Sequence, residues 1–272
     1  MDEVTSPPAT DSVDSVRREI DDLDTAVLAL LSQRQHLVDR LCDLKAPDQG
    51  LPIRSAREVN LLRRLVAQAP GSLDREFVVE VWRAIIGAAL RRQRIVDIYV
   101  GGGRGDPTRM FDVARRHFGA RARIQHVGEP QAALMRVLDA PASCVAVTPW
   151  PAAPGVGGWW PALSENRFRD LHVIAGLPLL SGGEESPEAC VFAASKPEAA
   201  GADITMLLAF DPHHRVQRAL TELGLDGKEV ARAEPRVLIR VQGFLGIDDP
   251  RAAALTQFGL ESVRVLGAYA RL

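Results

Sequence analysis

Long apolar runs are missing from this chain. No stretch approaches the ~20 consecutive apolar residues of a membrane-spanning helix, so no membrane partner is expected. An excess of one charge is missing as well. The 33 basic and 35 acidic residues leave a net charge of −2, which gives no general attraction to nucleic acid. Lysine is scarce, with only Lys45, Lys196 and Lys228 in the chain. The three cysteines, Cys42, Cys144 and Cys190, stand far apart and lack metal-ligand spacing. They read as small buried hydrophobes in a reducing compartment, with no metal site. The N-terminus, MDEVTSPPATDSVDS, has neither the basic start nor the apolar core of a secretory leader, so a cytoplasmic protein is expected.

What remains is an ordinary globular composition: 272 residues, 46% hydrophobic and 25% charged, enough for two or three domains. Residues 1–14 are polar and proline-containing and read as disordered. From Val16 to Lys45 no proline or glycine interrupts a helical pattern. Its apolar stripe runs Val16, Ile20, Leu23, Val27, Leu30, then Leu37, Leu41 and Leu44. Steps of three and four mark one helix face. So long a helix in a soluble chain calls for a partner helix.

The stripe has one gap, where Arg34 stands in place of an apolar residue. At 100° per residue, Lys45 falls within about 20° of Arg34, whereas Arg17 lies about 100° away. A cation on a buried stripe needs an anion, and no Asp or Glu sits one turn away on that face. The anion is then a ligand. Arg17, facing elsewhere, is a surface charge or a group offered to a partner chain.

APDQGLP (46–52) ends this helix. A second helix is expected from Ser55 to Ala69, with Ser55 and Glu58 spaced as a capping box. A third follows PGSLD and runs through Phe77, Val81, Ile85 and Leu90 to about Gln93. From Ile95 the period changes to short β-branched runs alternating with helical pieces, an α/β pattern. The last 70 or so residues read strand, helix, strand, strand, helix, strand, the ferredoxin-like order.

VRREIDDLDTAVLALLSQRQHLVDRLCDLK, PIRSAREVNLL and VWRAIIGAALRRQ together resemble the all-helical (AroQ-type) chorismate mutase domain. The resemblance covers about 80 residues. It implies a three-helix domain that forms an intertwined homodimer through its long first helices, each site taking one arginine from the partner. The implied substrate is chorismate, a dianion that rearranges to prephenate in one pericyclic step without a cofactor. By this resemblance Arg34 and Arg57, with Arg17 from the partner chain, bind carboxylates. Lys45 and Gln93 donate to the ether oxygen, and Glu58 accepts from the ring hydroxyl. Two places depart from the family pattern. Arg54 stands where an aspartate is usual, and Ala89 where some members have serine.

The C-terminal half resembles prephenate dehydratase followed by an ACT domain. SVRVLGAYA matches a closing ACT strand and ACVFAASKPEAAGADITMLLAF the passage before it. The dehydratase signature Thr-Arg-Phe is Cys190-Val191-Phe192 here, which removes the hydroxyl and the cation. The ACT effector signature shrinks to Ala233-Glu234-Pro235. The expected layout is a multidomain α and α/β chain. It has a disordered segment 1–14, a mutase domain 15–95, a degenerate dehydratase-like region 96–200 and an ACT-like domain 201–272. The leading function is chorismate mutase with a non-catalytic C-terminal half. The alternatives are a bifunctional mutase–dehydratase and, in another class, an inactive dimeric scaffold.

Four further features read as structural. GGGRGDP is a turn from strand to helix with Pro107 at the first helical position. Trp159 and Trp160 pack against a sheet, His213 and His214 lie at a helix start, and Cys190 is a buried strand residue.

Overall fold

The computed structural model describes residues 12–44, 50–103, 106–151, 158–180 and 186–272. The chain divides into two compact units, 1–47 and 48–272.

The first unit is one helix, α1 (Val13–Leu44), 32 residues without a break. It begins three residues before the apolar stripe, so Val13 and Asp14 of the polar N-terminal segment are helical. Residues 1–11 of that segment lie outside the described residues, as do residues 46–49 of the expected break at 46–52. No residue of α1 is buried. Its apolar stripe is open, with Val27 54%, Leu30 63% and Leu37 61% exposed.

The second unit opens with α2 (Ser55–Gln68) and α3 (Arg75–Gln93). Neither start uses a side-chain cap. Arg54 rather than Ser55 occupies the N-cap of α2, and Asp74 that of α3, with no side-chain bond to the helix. The apolar face of α3 also differs in phase from the sequence reading. Val78, Val79, Ile86 and Ala89 are buried, whereas Phe77 is 54% exposed. The face follows 79, 83, 86, with Arg83 inside it.

The α/β part runs β1 (Asp97–Val100), α4 (Pro107–Phe118), β2 (Arg123–His126), α5 (Pro130–Asp139), β3 (Cys144–Pro149), β4 (His172–Leu177) and β5 (Ala189–Ala193). The tail follows as β6 (Asp203–Phe210), α6 (Val216–Glu222), β7 (Gly227–Ala233), β8 (Arg236–Gln242), α7 (Pro250–Ala254) and β9 (Glu261–Ala270), the expected βαββαβ order. All nine strands form one sheet, β2-β1-β3-β5-β4-β9-β6-β8-β7. β1 pairs in parallel with β2 and β3, and β5 runs antiparallel between β3 and β4. The two halves of the sheet meet where Val173 of β4 lies beside Gly267 of β9. A Cβ at Gly267 would overlap the Val173 backbone, so the junction needs glycine.

Strands β3, β4 and β5 are buried along their whole length. Strands covered on both faces read as continuous apolar runs, as these do. The pleat sends alternate side chains to opposite layers. Val145 and Val147 join a core with Val59 and Leu62 of α2, Ile86 of α3 and Ala114 of α4. Cys144 and Ala146 face a second core with Leu134 of α5, Trp160 and Phe168. Helices α2 and α3 and the sheet therefore share one core. Trp159 stands edge-on to Phe192, and its Nε1 donates to the Pro149 carbonyl at 3.1 Å. Helix α4 begins at Pro107 with Asp106 as its cap, accepting from the Thr108 amide at 2.8 Å. Arg104 and Gly105 of the glycine-rich turn lie outside the described residues.

Candidate functional site

The six candidate residues fall on both units. Arg17 and Arg34 are on α1. Arg17 is exposed and bonds to Asp14 within its own helix at 3.4 Å. Arg34 is half-buried, and burial lowers its guanidinium pKa from the ordinary value. Lys45 lies outside the described residues.

The other three are on α2 and α3. Arg57 and Glu58 are neighbours in α2 that differ in burial: Arg57 is exposed and Glu58 is buried. Gln93 is the last residue of α3, half-buried, with its Nε2 near the Ala89 carbonyl at 3.4 Å. Just beyond it Arg94 donates to the carbonyls of Gly50 and Ala142, at 3.1 and 3.3 Å. That contact ties the end of α3 to the segment that leads into α2.

Glu58 does not cap its helix. Its Oε2 accepts from Nη1 of Arg83 at 2.5 Å, and Oε1 has no hydrogen bond among the described residues. Arg83 is 3% exposed and Glu58 8%. Arg83 is held a second time, with its Nε donating to the carbonyl of His117, near the end of α4, at 2.7 Å. Two buried charges lose their hydration, so this pair depends on its geometry and on the extra bond to His117. The His117 ring is also buried. Burial first, and Arg83 beside it second, push its pKa well below the ordinary value, so it is neutral.

Arg54 occupies the place where the resembled family has aspartate. It makes a two-pronged contact with Glu198, through Nη2 at 2.5 Å and Nε at 3.2 Å. This pair stands beside a cavity of about 280 Å³ at the start of α2, lined also by Gly50, Ser55, Ile174 and Lys196. Arg54 is thus committed to an acid of the α/β part.

Sequence reasoning passed over Arg83, although its signal is the one that singled out Arg34. Both are arginines at apolar positions of a helical stripe. Glu198 left no signal, since 144 residues separate it from Arg54.

Residues 16–94 match the family model of chorismate mutase type II. All six candidate residues lie within that match. No curated protein is significantly similar to the chain. Three solved structures are similar to the chain at low identity. The prephenate dehydratase from Streptococcus mutans has 16% identity and a TM-score of 0.44, covering 65% of this chain and all of its own. A prephenate dehydratase from Arthrobacter aurescens in complex with L-Phe has 15% identity and a TM-score of 0.44, covering 65% of this chain and 90% of its own. GqqA, described as a novel type of quorum quenching acylase, has 14% identity and a TM-score of 0.43, covering 66% of this chain and 96% of its own. Likeness at this level assigns no activity. Among the described residues no helix is long and apolar enough to cross a membrane, and no three His, Cys, Asp or Glu residues stand together as a metal site.

The stretch Cys190-Val191-Phe192 of β5 is built as core. Cys190, Val191 and Phe192 are each 1% exposed or less, in the middle of the sheet. Burial drives the Cys190 thiol pKa well above its ordinary value, which removes it as a nucleophile near neutral pH.

Proposed function

We propose that this protein is a chorismate mutase, converting chorismate to prephenate, and that its α/β half is not itself catalytic. The observation that carries the reading is the spacing of Arg17, Arg34, Lys45, Arg57, Glu58 and Gln93 inside the segment that matches the family. The chemistry suits those residue types. A pericyclic rearrangement needs no nucleophile. It needs a flexible dianion held in its reactive geometry and partial negative charge stabilised on the breaking ether oxygen. Arg34 and Arg57, with Arg17 from the partner subunit, take the two carboxylates as bidentate forks. Lys45 and Gln93 donate to the ether oxygen, and Glu58 accepts from the ring hydroxyl.

The assembly is a cytoplasmic homodimer through α1, whose open apolar stripe supports a helical partner. The layout is a mutase domain at 15–95, a dehydratase-derived region at 96–200 and an ACT-like domain at 201–272. The loss of hydroxyl and cation at Cys190 and Val191 supports a silent C-terminal half.

The test is incubation of the full-length protein with chorismate, following substrate loss and products with and without mild acid. Acid converts prephenate to phenylpyruvate without an enzyme. Phenylpyruvate only after acid is the expected result. Its appearance before acid means a working dehydratase, and no loss of chorismate means a binding or scaffold protein.

A further inference from the structure

We infer that Arg83 is a positioning residue of the mutase reaction, acting through Glu58, and that the C-terminal end of α4 sets its place. The inference rests on the reading of Glu58 as the acceptor of the substrate hydroxyl. Glu58 is buried, and one carboxylate oxygen is taken by Arg83 while the other is free of protein partners among the described residues. That division of labour leaves one oxygen for a ligand and fixes its direction with the other. A buried carboxylate held at one oxygen by a guanidinium that is itself tied to a backbone carbonyl has little rotational freedom left. Arg83 in turn cannot swing with its partner, because its Nε is bound to the His117 carbonyl. The chain of contacts is Glu58 on α2, Arg83 on α3 and a backbone carbonyl on α4.

The third link makes the inference more than a description of an ion pair. α4 lies outside the segment that matches the mutase family, which ends at residue 94. A mutase group is therefore oriented from the α/β part of the chain. The α/β half then contributes geometry to the reaction without contributing a reacting group. It also accounts for a buried arginine on an otherwise apolar face of α3.

The test is a double-mutant cycle on the full-length protein with chorismate as substrate, using Glu58→Gln, Arg83→Gln and the pair together. Thermal unfolding and dimer content are measured for each. The double variant restores a neutral hydrogen-bonding pair, so it remains informative if Arg83→Gln alone, with its unpaired buried carboxylate, does not fold. Each single change is expected to lower kcat/KM between about 10- and 100-fold, and the double variant to match Glu58→Gln rather than multiply the losses. Arg83→Lys, which keeps the charge but not the fork, is expected to recover part of the rate. Multiplied losses in folded double variant overturn the inference and leave the mutase reading intact. So does an Arg83→Gln protein that turns over at the parent rate. Parental failure to consume chorismate, or normal turnover in Glu58→Gln, overturns the site reading and the inference together.

Discussion

Gly87 of α3 rests against the backbone of Phe118 at the end of α4. A Cβ built at Gly87 would stand 2.6 Å from the Phe118 carbonyl oxygen, and that neighbour is backbone rather than a flexible side chain. The close approach sits one turn from Arg83 and beside the His117 carbonyl that Arg83 binds. Gly87→Ala therefore has to push α3 and α4 apart. Overpacking of this kind costs about 1–3 kcal/mol, offset slightly by alanine's better helix propensity. Gly71→Ala, which meets nothing within 4 Å, serves as the control. Urea unfolding should place the Gly87 variant below the parent and the Gly71 variant level with it. A Gly87→Ala protein as stable as the parent means that the two helices slide freely.

Arg34 and Lys45 carry the sharpest catalytic prediction. Arg34 interrupts the apolar stripe of α1, and the sequence period carries the same face on to Lys45, so under the proposed reading replacing either should leave dimerisation alone. In the proposed site, Lys45→Ala or Gln93→Ala takes away a donor to the breaking ether oxygen, so kcat should fall roughly 10²–10³-fold, the scale of a lost oxyanion donor. Arg34→Ala should raise KM as well as lower kcat, since its proposed role is to hold a carboxylate in both ground and transition states. Steady-state kinetics beside light scattering would decide this. A dimeric variant with normal turnover refutes its residue's role.

How much of this could be read from the sequence follows from range. Helices α1, α2 and α3, the βαββαβ order of the tail and the buried Cys190 are local signals of period and composition, and each was legible. The cap of α2 was not. Ser55 and Glu58 have capping-box spacing, yet Arg83 from another helix took the Glu58 carboxylate, a tertiary claim that local pattern cannot contain. The phase of α3 was misread for the same reason. Phe77 reads as core, but the buried face runs through Val79, Arg83 and Ile86, where α3 packs against α2 and α4, a tertiary arrangement that local period cannot specify. Glu198 opposite Arg54 is a contact across 144 residues, invisible without coordinates.

Acid should destabilise the fold well before its carboxylates titrate. His117 is neutral and buried, with its pKa driven far down by burial and then by Arg83. His172, at the start of β4, is lowered to about 4 by burial and then by Arg264. In the unfolded chain both titrate near the ordinary value of about 6.5. The unfolded state thus binds protons first, so this stability is complete above pH ~6.5 and is lost as the pH falls below it. The slope approaches about 1.4 kcal/mol per pH unit for each histidine. Asp211 and Asp249, whose pKa values are lowered, add to the loss only below about pH 4. Unfolding free energies at pH 7.5, 6.5, 5.5 and 4.5 should decline from the second point onward, and His172→Gln should flatten part of that decline. Equal stability at 7.5 and 5.5 would show that neither histidine is held neutral.

The last prediction concerns α1 by itself. Val16, Ile20, Leu23, Val27, Leu30 and Leu37 are each 43–66% exposed along the helix. A stripe that length, repeating every three and four residues, has the form of a seam between helices. Charge placed in its middle should prevent association. Val27→Glu and Leu23→Glu each put a carboxylate into the middle of that seam, where burial would strip its hydration without offering a counter-charge. Light scattering should then report a monomer of about half the parental mass. If the proposed site takes Arg17 from the partner subunit, mutase activity should fall with the dimer. Mixing inactive Arg17→Ala with inactive Arg34→Ala protein offers the complementary measurement. A mixed dimer holds one site with both arginines intact, so activity should return to about half of the parental level per mixed dimer. No recovery after subunit exchange would place Arg17 and Arg34 of one site on the same chain.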